Sequence, residues 1–268
     1  MLATINRVKQ QLAAGGVPVG FVCRTLSPAL VELIGMAGFD FVWLDMEHTA
    51  ADFSLIEHLC RAADAVGIEA LVRVPDQSPS NILRALEAGA GIVNVPQVST
   101  RKHAEAVVRA AKFAPEGERG LSPTSRGMRY GFSSGQSDPF AATNRRVMTM
   151  VQIESSTAVR NAPDICCVPH VDAIFIGLAD LSQSLGVPGQ TEHDRVLHAA
   201  REVLAAASAA DKPVMMLVDS AERGKAWVEE GARILCCGID VPSFGKLLQE
   251  KRNAFEFLQS GSAGKARR

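Results

Sequence analysis

The 268-residue sequence predicts an α/β protein folded as a single (β/α)8 barrel. Three observations lead there. Eight short runs rich in β-branched and other apolar residues alternate with helical stretches. The runs are continuously apolar rather than alternating, which suits parallel strands buried on both faces. Gly or Pro marks the joints, and a chain of this length can close around one large core. A doubly wound open sheet is the alternative, but no GxGxxG follows the first run, which is the usual sign of that fold.

The strands are predicted at 18–24, 39–45, 68–74, 91–96, 147–153, 171–177, 213–218 and 233–238. Between them lie helix start and stop signals. Thr49-x-x-Asp52 reads as a capping box ahead of Ile56, Leu59, Cys60 and Ala63, which share one helical face. Ser78 followed by Pro79 reads as an N-cap with proline at the first helical position, and Gly89 ends that helix. Thr191-x-x-Asp194 opens another helix whose buried stripe is Val196, Ala199, Ala200, Val203 and Leu204. Gly38, Gly89 and Gly231 each stand just before a predicted strand, a weak internal repeat. One domain spans 1–258, with an N-terminal helix and a C-terminal helix at 241–258, and the basic stretch 259–268 is a flexible tail. Residues 114–146 form a long loop rich in Gly, Ser, Pro and Arg, expected to close the site, to pack between subunits or to stay solvated.

The chain carries 28 Lys+Arg against 29 Asp+Glu, a net charge of −1. No single sign dominates, which argues against a basic nucleic-acid binder or a polybasic membrane binder. Hydrophobic residues are 47% and charged residues 21%, which excludes wholesale disorder. No apolar run approaches the roughly 20 residues a membrane helix needs. Asn6, Arg7, Lys9 and Gln10 stand where a secretory signal has its apolar stretch, and the six cysteines form no CxxC. A cytoplasmic protein with reduced thiols is the expectation.

Chemistry in such a barrel sits at the carboxyl ends of the strands. There the polar residues gather. The second strand, FDFVWLD, runs into Asp45, Glu47 and His48. Arg73 interrupts the apolar third strand, and the fifth ends in Gln152 and Glu154. The sixth runs into Gly177, Leu178, Ala179 and Asp180. Carboxylates that converge in a partly dry site repel unless a cation joins them. Glu154 and Asp180 suit a hard divalent ion, Mg2+ or Mn2+, while zinc lacks an HExxH or a Cys/His cluster. Each group also has a plainer reading: a helix cap for Glu154 or Asp180, an ion-pair partner for Arg73, a loop histidine for His48. No lysine falls at the carboxyl end of a predicted strand, so a Schiff base has no candidate and carbonyl chemistry needs a metal as electron sink.

The stretches GFDFVWLDMEHTAAD, LVRVP, ALEAGAGIVNVPQVST, AAKFAPEGERG, VQIE, GLADLS and GARILCCGIDVPSF occur in this order over about residues 15–245. Together they resemble the HpcH/HpaI family of metal-dependent (class II) pyruvate aldolases, which includes 4-hydroxy-2-oxoheptanedioate and 2-keto-3-deoxy sugar-acid aldolases. The resemblance implies aldol cleavage of a 4-hydroxy-2-oxo acid to pyruvate and an aldehyde, through a metal-stabilised enolate. It implies Glu154 and Asp180 as ligands of Mg2+ or Mn2+, with Co2+ a further candidate. His48 would be the acid/base histidine, Asp45 the carboxylate orienting it, and Arg73 the holder of the donor's oxyanion. Gln152 would lie beside the pyruvate, and the backbone around Gly177, Leu178 and Ala179 would cradle its carboxylate. Glu87 stands where the family often has aspartate, Met46 where it often has glycine, and Leu178 where it often has proline. Met46 and Leu178 bear on acceptor size. A homo-oligomer is implied, commonly a hexamer that exchanges C-terminal segments. Two other readings are a malyl- or citramalyl-CoA lyase on the same barrel, and a non-catalytic barrel that binds a keto acid.

Overall fold

The structure, a computed structural model, describes residues 5–132 and 137–255. All eight predicted strands form: β1 (Val19–Cys23), β2 (Phe41–Asp45), β3 (Glu69–Arg73), β4 (Ile92–Val95), β5 (Met148–Ile153), β6 (Ala173–Ile176), β7 (Val214–Val218) and β8 (Ile234–Ile239). They make a closed parallel barrel in chain order, with β8 pairing back on β1. Twelve helices are described: α1 (Arg7–Ala13), α2 (Pro28–Met36), α3 (Phe53–Val66), α4 (Pro79–Glu87), α5 (Arg101–Ala111), α6 (Pro139–Arg146), α7 (Ser156–Arg160), α8 (Ala162–Cys166), α9 (Leu178–Ser184), α10 (Asp194–Ala209), α11 (Ala221–Glu229) and α12 (Asp240–Ala254).

Two apolar clusters explain the continuous apolar runs. Val22, Phe41, Trp43, Leu71, Ile92, Met150, Phe175 and Met215 fill the barrel interior, together with Val8 of α1. Val42, Leu44, Val72, Val93, Val151 and Met216 pack outward against Ile56, Leu59, Ile82, Val107 and Val203 of the surrounding helices. Successive side chains point to opposite faces, so a strand buried on both sides must be apolar throughout.

The same alternation places the polar residues. Along β2 the inward series Phe41, Trp43 continues to Asp45. Along β3 it runs from Leu71 to Arg73, along β4 from Ile92 to Asn94, and along β5 from Met148 and Met150 to Gln152. Pairing register sets Asp45 opposite Arg73, and Arg73 opposite Asn94. A polar layer therefore caps the apolar interior at the carboxyl end. At the amino end, α1 closes the barrel: Val8 is fully buried, Asn6 donates to Gly91 O at 2.9 Å, and the Arg7 amide donates to Glu69 Oε1 at 3.0 Å.

Several local expectations are corrected. Asp52 is itself the N-cap of α3, accepting from the Leu55 amide at 2.8 Å, and Thr49 instead donates to Asp45 O. His193, rather than Thr191, caps α10 by accepting from the Arg195 amide at 3.2 Å. In both cases the connecting loop is longer than a capping box allows, so the threonine sits too early. Ser78 stands at the N-cap position of α4 without a side-chain capping hydrogen bond, Pro79 is its first residue, and Gly89 follows its end at φ +107°. The 114–146 segment contains a 3-10 turn, Arg126–Gly131, and α6. Arg126 donates to Ala88 O at 2.9 Å and pairs with Asp64, at the ends of α4 and α3. Thr124, Ser125 and Tyr130 of this segment line a cleft with Phe53 and Ser54 of α3 and Arg84 and Glu87 of α4. All six cysteines are free thiols. Leu258 and the tail lie outside the described residues.

Candidate active site

A cavity of about 480 Å³ opens at the carboxyl ends of the strands. His48, Arg73, Gln152, Gly177, Leu178, Ala179 and Asp180 all line it. The strand ends thus bring together seven residues singled out from the sequence.

Arg73 is the organising cation. It is 4% exposed, and Asp45 is fully buried. Its Nε donates to Asp45 Oδ1 at 2.8 Å and its Nη2 to Asp45 Oδ2 at 2.6 Å. Glu47 Oε2 lies 3.0 Å from Nη1, in charge contact without an aligned hydrogen bond. The guanidinium lies 4.9 Å from the Trp43 ring, which is braced edge-on by Phe175. N–H groups remain on Nη1 and Nη2 for the cavity. Burial alone would push the Asp45 carboxyl up. The Arg73 hydrogen bonds, with the charges of Arg73 and Arg24, overcome that and hold it below the usual carboxylate range.

This corrects the expected role of Asp45. Among the described residues it makes no hydrogen bond to His48. Its oxygens serve Arg73, the Glu47 amide at 3.1 Å and, by charge, Arg24. The acid beside His48 is Glu47, with Oε2 3.7 Å from Nε2, and the imidazole is half-exposed on the cavity wall. Glu47 is a site residue to which the sequence reading gave no role, although it stands between Asp45 and His48 in DMEH. Burial pushes its carboxyl up, against the pull of Arg73.

Glu154 follows β5 and is 5% exposed. Its Oε1 accepts from the Gln97 amide at 2.6 Å, and its Oε2 from Gln152 Nε2. Gln152 is itself held by Asn94, whose Nδ2 donates to Gln152 Oε1 at 3.1 Å. Asn94 is fully buried and was not anticipated, since IVNV reads as ordinary strand. Gly177 is required beside this pair: a Cβ there would lie 2.8 Å from Glu154 Oε2 and 3.0 Å from Gln152 Nε2. Desolvation pushes the Glu154 carboxyl up to about 7. The two hydrogen bonds oppose this, and the charges of Asp180 and Glu47 add to it. Asp180 projects from the first turn of α9. A buried carboxylate that resists ionisation next to a second one fits a divalent cation, and both offer hard oxygen donors. Among the described residues no group of three or more His, Cys, Asp or Glu forms a cage, so waters and substrate oxygens would complete the coordination.

Two other expectations resolve by position. Glu87 does not reach the cavity. It ends α4, which runs back antiparallel to the strands, and lies 3.6 Å from Arg119 in a separate cleft with Arg84, Arg126 and Tyr130. Lys112 is buried, but at the amino end of the barrel, where its Nζ donates to Asn144 O, Val147 O and Asp172. No buried lysine stands near the cavity among the described residues.

Comparison with known proteins identifies relatives in sequence and in fold. The model of the HpcH/HpaI aldolase/citrate lyase family matches residues 20–246. A 5-keto-4-deoxy-D-glucarate aldolase of Klebsiella pneumoniae subsp. pneumoniae is 34% identical over 251 residues, 94% of this chain and 97% of that protein. The protein of the same name in Escherichia coli (strain K12 / DH10B) is 33% identical over the same shares. Among solved structures, an HpcH/HpaI aldolase from Desulfitobacterium hafniense DCB-2 superposes with a TM-score of 0.87 at 30% identity, covering 92% of this chain and 96% of that one. The citrate synthase SbnG superposes with a TM-score of 0.85 at 30% identity, covering 95% and 98%. The family depends on divalent metal ions. With a closed eight-stranded barrel, a polar layer at its carboxyl end and a family match over most of its length, the chain belongs to the HpcH/HpaI aldolase/citrate lyase family and is a carbon–carbon lyase of the aldolase type.

Proposed function

We propose that the cavity cleaves a 4-hydroxy-2-oxo acid to pyruvate and an aldehyde, and runs the reverse condensation. The observation that carries this reading is the convergence of Arg73, Gln152 and Asp180 on one cavity, with Glu154 held directly behind Gln152 and within the electrostatic reach of Asp180. Glu154 and Asp180 would hold a divalent ion, Mg2+ or Mn2+ with Co2+ a third candidate. When bound, that ion supplies Lewis-acid stabilisation of negative charge on the 2-oxo group.

The chain's own residues do the rest. The N–H groups left on Arg73 face the cavity and stabilise the charge that develops on the 2-oxo oxygen as the C3–C4 bond breaks. Asp45 fixes their direction and Glu47 neutralises the remaining edge of the guanidinium. Gln152 and the backbone at Gly177 and Ala179 position the carboxylate end. His48 takes the 4-hydroxyl proton. The O–H electron pair becomes the aldehyde carbonyl, the C3–C4 pair moves to the enolate, and protonation at C3 gives pyruvate. Glu87, at the other end of the barrel, has no part in this scheme within one subunit.

A homo-oligomer is the proposed assembly. Phe244, Leu247 and Leu248 leave apolar surface on α12, and light scattering reads the state directly. The similarity to a citrate synthase supports a second reading, a lyase acting on acyl-CoA esters. The test follows pyruvate release from racemic 4-hydroxy-2-oxo acids in EDTA-stripped protein, with and without each metal. Activity restored by metal and lost in Glu154→Ala supports the aldolase. Activity that survives EDTA and is trapped by borohydride refutes it, and cleavage of a malyl- or citramalyl-CoA ester to acetyl-CoA, with the thioester intact, in its place supports the second reading.

A further inference from the structure

Three cations that line the cavity, Arg24, Arg223 and Lys246, have no part in the scheme above. Arg24 follows β1 at the next inward position after Gly20 and Val22, and lines the cavity with Arg73 and His48. Its Nε lies 3.2 Å from Asp45 Oδ2, an oxygen already accepting from Arg73. That contact is one of charge only: the Nε–H is buried and makes no hydrogen bond. Arg61, Arg101 and Arg201, all on the surface, hydrogen-bond carboxylates. The terminal Nη groups of Arg24 likewise have no acceptor among the described residues, and they are the part of this cavity-lining side chain that a ligand can reach.

The backbone of Arg24 is fixed. Asp240, 4% exposed, accepts from the Arg24 amide at 2.9 Å, the Thr25 amide at 2.8 Å and Thr25 Oγ1 at 2.7 Å. Asp240 also begins α12, and Ser243 and Lys246, one and two turns further on, line the same cavity. Lys246 has no ion-pair partner among the described residues, whereas the cavity's other lysine-or-arginine group on this side, Arg223, is neutralised by Glu192 and Asp219. The β1 end and α12 are therefore one rigid wall carrying two cations. The opposite wall holds Gln152, Gly177 and Asp180, the pyruvate end of the substrate under the reading above.

We propose that Arg24, with Lys246 behind it, is a specificity-determining subsite for an acceptor aldehyde that carries a carboxylate. This rests on the aldolase reading. A 4-hydroxy-2-oxo acid anchored by its 2-oxo acid end, with C4 near His48, directs the substituent beyond C4 toward the β1–α12 wall. A guanidinium whose terminal Nη groups have no acceptor among the described residues matches a carboxylate there, both in charge and in planar geometry. The preferred substrate is thus a diacid, and neutral aldehydes are poor partners.

The experiment uses the metal-loaded full-length enzyme in the condensation direction, with pyruvate and paired acceptors: 4-oxobutanoate against butanal, and glyoxylate against glycolaldehyde. The wild type should prefer the anionic member of each pair. In Arg24→Ala the ratio of kcat/KM for anionic over neutral acceptor should fall on the order of 10- to 100-fold, the loss of one charged hydrogen bond, and mainly through KM. Arg24→Lys should recover part of it, and Lys246→Ala should show a smaller fall in the same ratio. A ratio unchanged in Arg24→Ala, with both acceptors declining together, overturns the proposal and assigns Arg24 to support of Asp45. Deuterium exchange of the pyruvate methyl group, read by NMR without acceptor, separates the two failures. Exchange in the wild type with an unchanged acceptor ratio sinks the subsite alone, and absence of exchange sinks the aldolase reading and the subsite with it.

Discussion

Asp45 and Arg73 face each other across the register of β2 and β3 and are joined by two parallel hydrogen bonds, at the carboxyl-end level of the barrel where apolar layers give way to polar ones. Two consequences can be measured. Arg73→Lys keeps the charge and loses the fork, so turnover should fall on the order of 10²–10³-fold, as for other oxyanion donors. Asp45→Asn should lower turnover in the same direction by freeing the guanidinium. Pyruvate release from a 4-hydroxy-2-oxo acid reads both.

The Asp45 pairing also sets a dependence on acidity. Its carboxyl is held below the ordinary value in the fold, so the folded state binds this proton more weakly than the unfolded chain. The stability it contributes is complete above the ordinary value of 3.8 and is lost as pH falls through the depressed one. Urea midpoints measured from pH 6 downward should decline less steeply in Asp45→Asn than in the wild type.

Glu154 carries the opposite sign. Its folded value of about 7 lies above the ordinary 4.5, so the metal-free fold favours the protonated acid. That contribution is present below pH 4.5 and is lost as pH rises toward 7. A divalent ion binds the ionised form and competes with the proton. The rise in Tm produced by Mg2+ or Mn2+ should therefore be larger at pH 8 than at pH 6, and Glu154→Gln should abolish most of it.

Asn94 touches no substrate in the proposed scheme and acts through Gln152. Asn94→Ala removes the donor that orients the Gln152 amide toward Glu154. Metal affinity, read by titration calorimetry, should weaken about 10- to 100-fold, the usual effect of losing an outer-shell partner. A purely structural role would lower Tm and leave the affinity in place.

Gly177→Ala tests the close approach beside Glu154. The added methyl would displace the Glu154 carboxylate and the Gln152 amide, both held by other bonds. Circular dichroism should remain that of the barrel while pyruvate release is lost.

The barrel was legible because burial on both faces leaves no choice of residue along a strand. For the same reason Arg73 stood out, being a charge inside such a run. Its partner was not legible. Asp45 is near His48 in sequence, but the register of two strands 28 residues apart decides whom it meets. Glu87 misled through helix direction, since a motif on the last turn of α4 lies at the barrel's far end. Asn94 was hidden as a short polar residue in a strand, and Arg24 as the closing residue of the predicted first strand, where a charge reads as the strand's polar end. Both become visible only when the inward face of each strand is known.

The bond network of Asp240 joins the chain's beginning to its end at the site itself. Arg24 and Thr25 are held by the first residue of the last helix, and β1 closes on β8. A growing polypeptide released from the ribosome before residue 240 has every proposed metal and oxyanion residue and still lacks one wall of the cavity. Activity thus waits on synthesis of α12, and C-terminal truncation back to β7 should yield protein that cannot mature, however much of the catalytic sequence it contains.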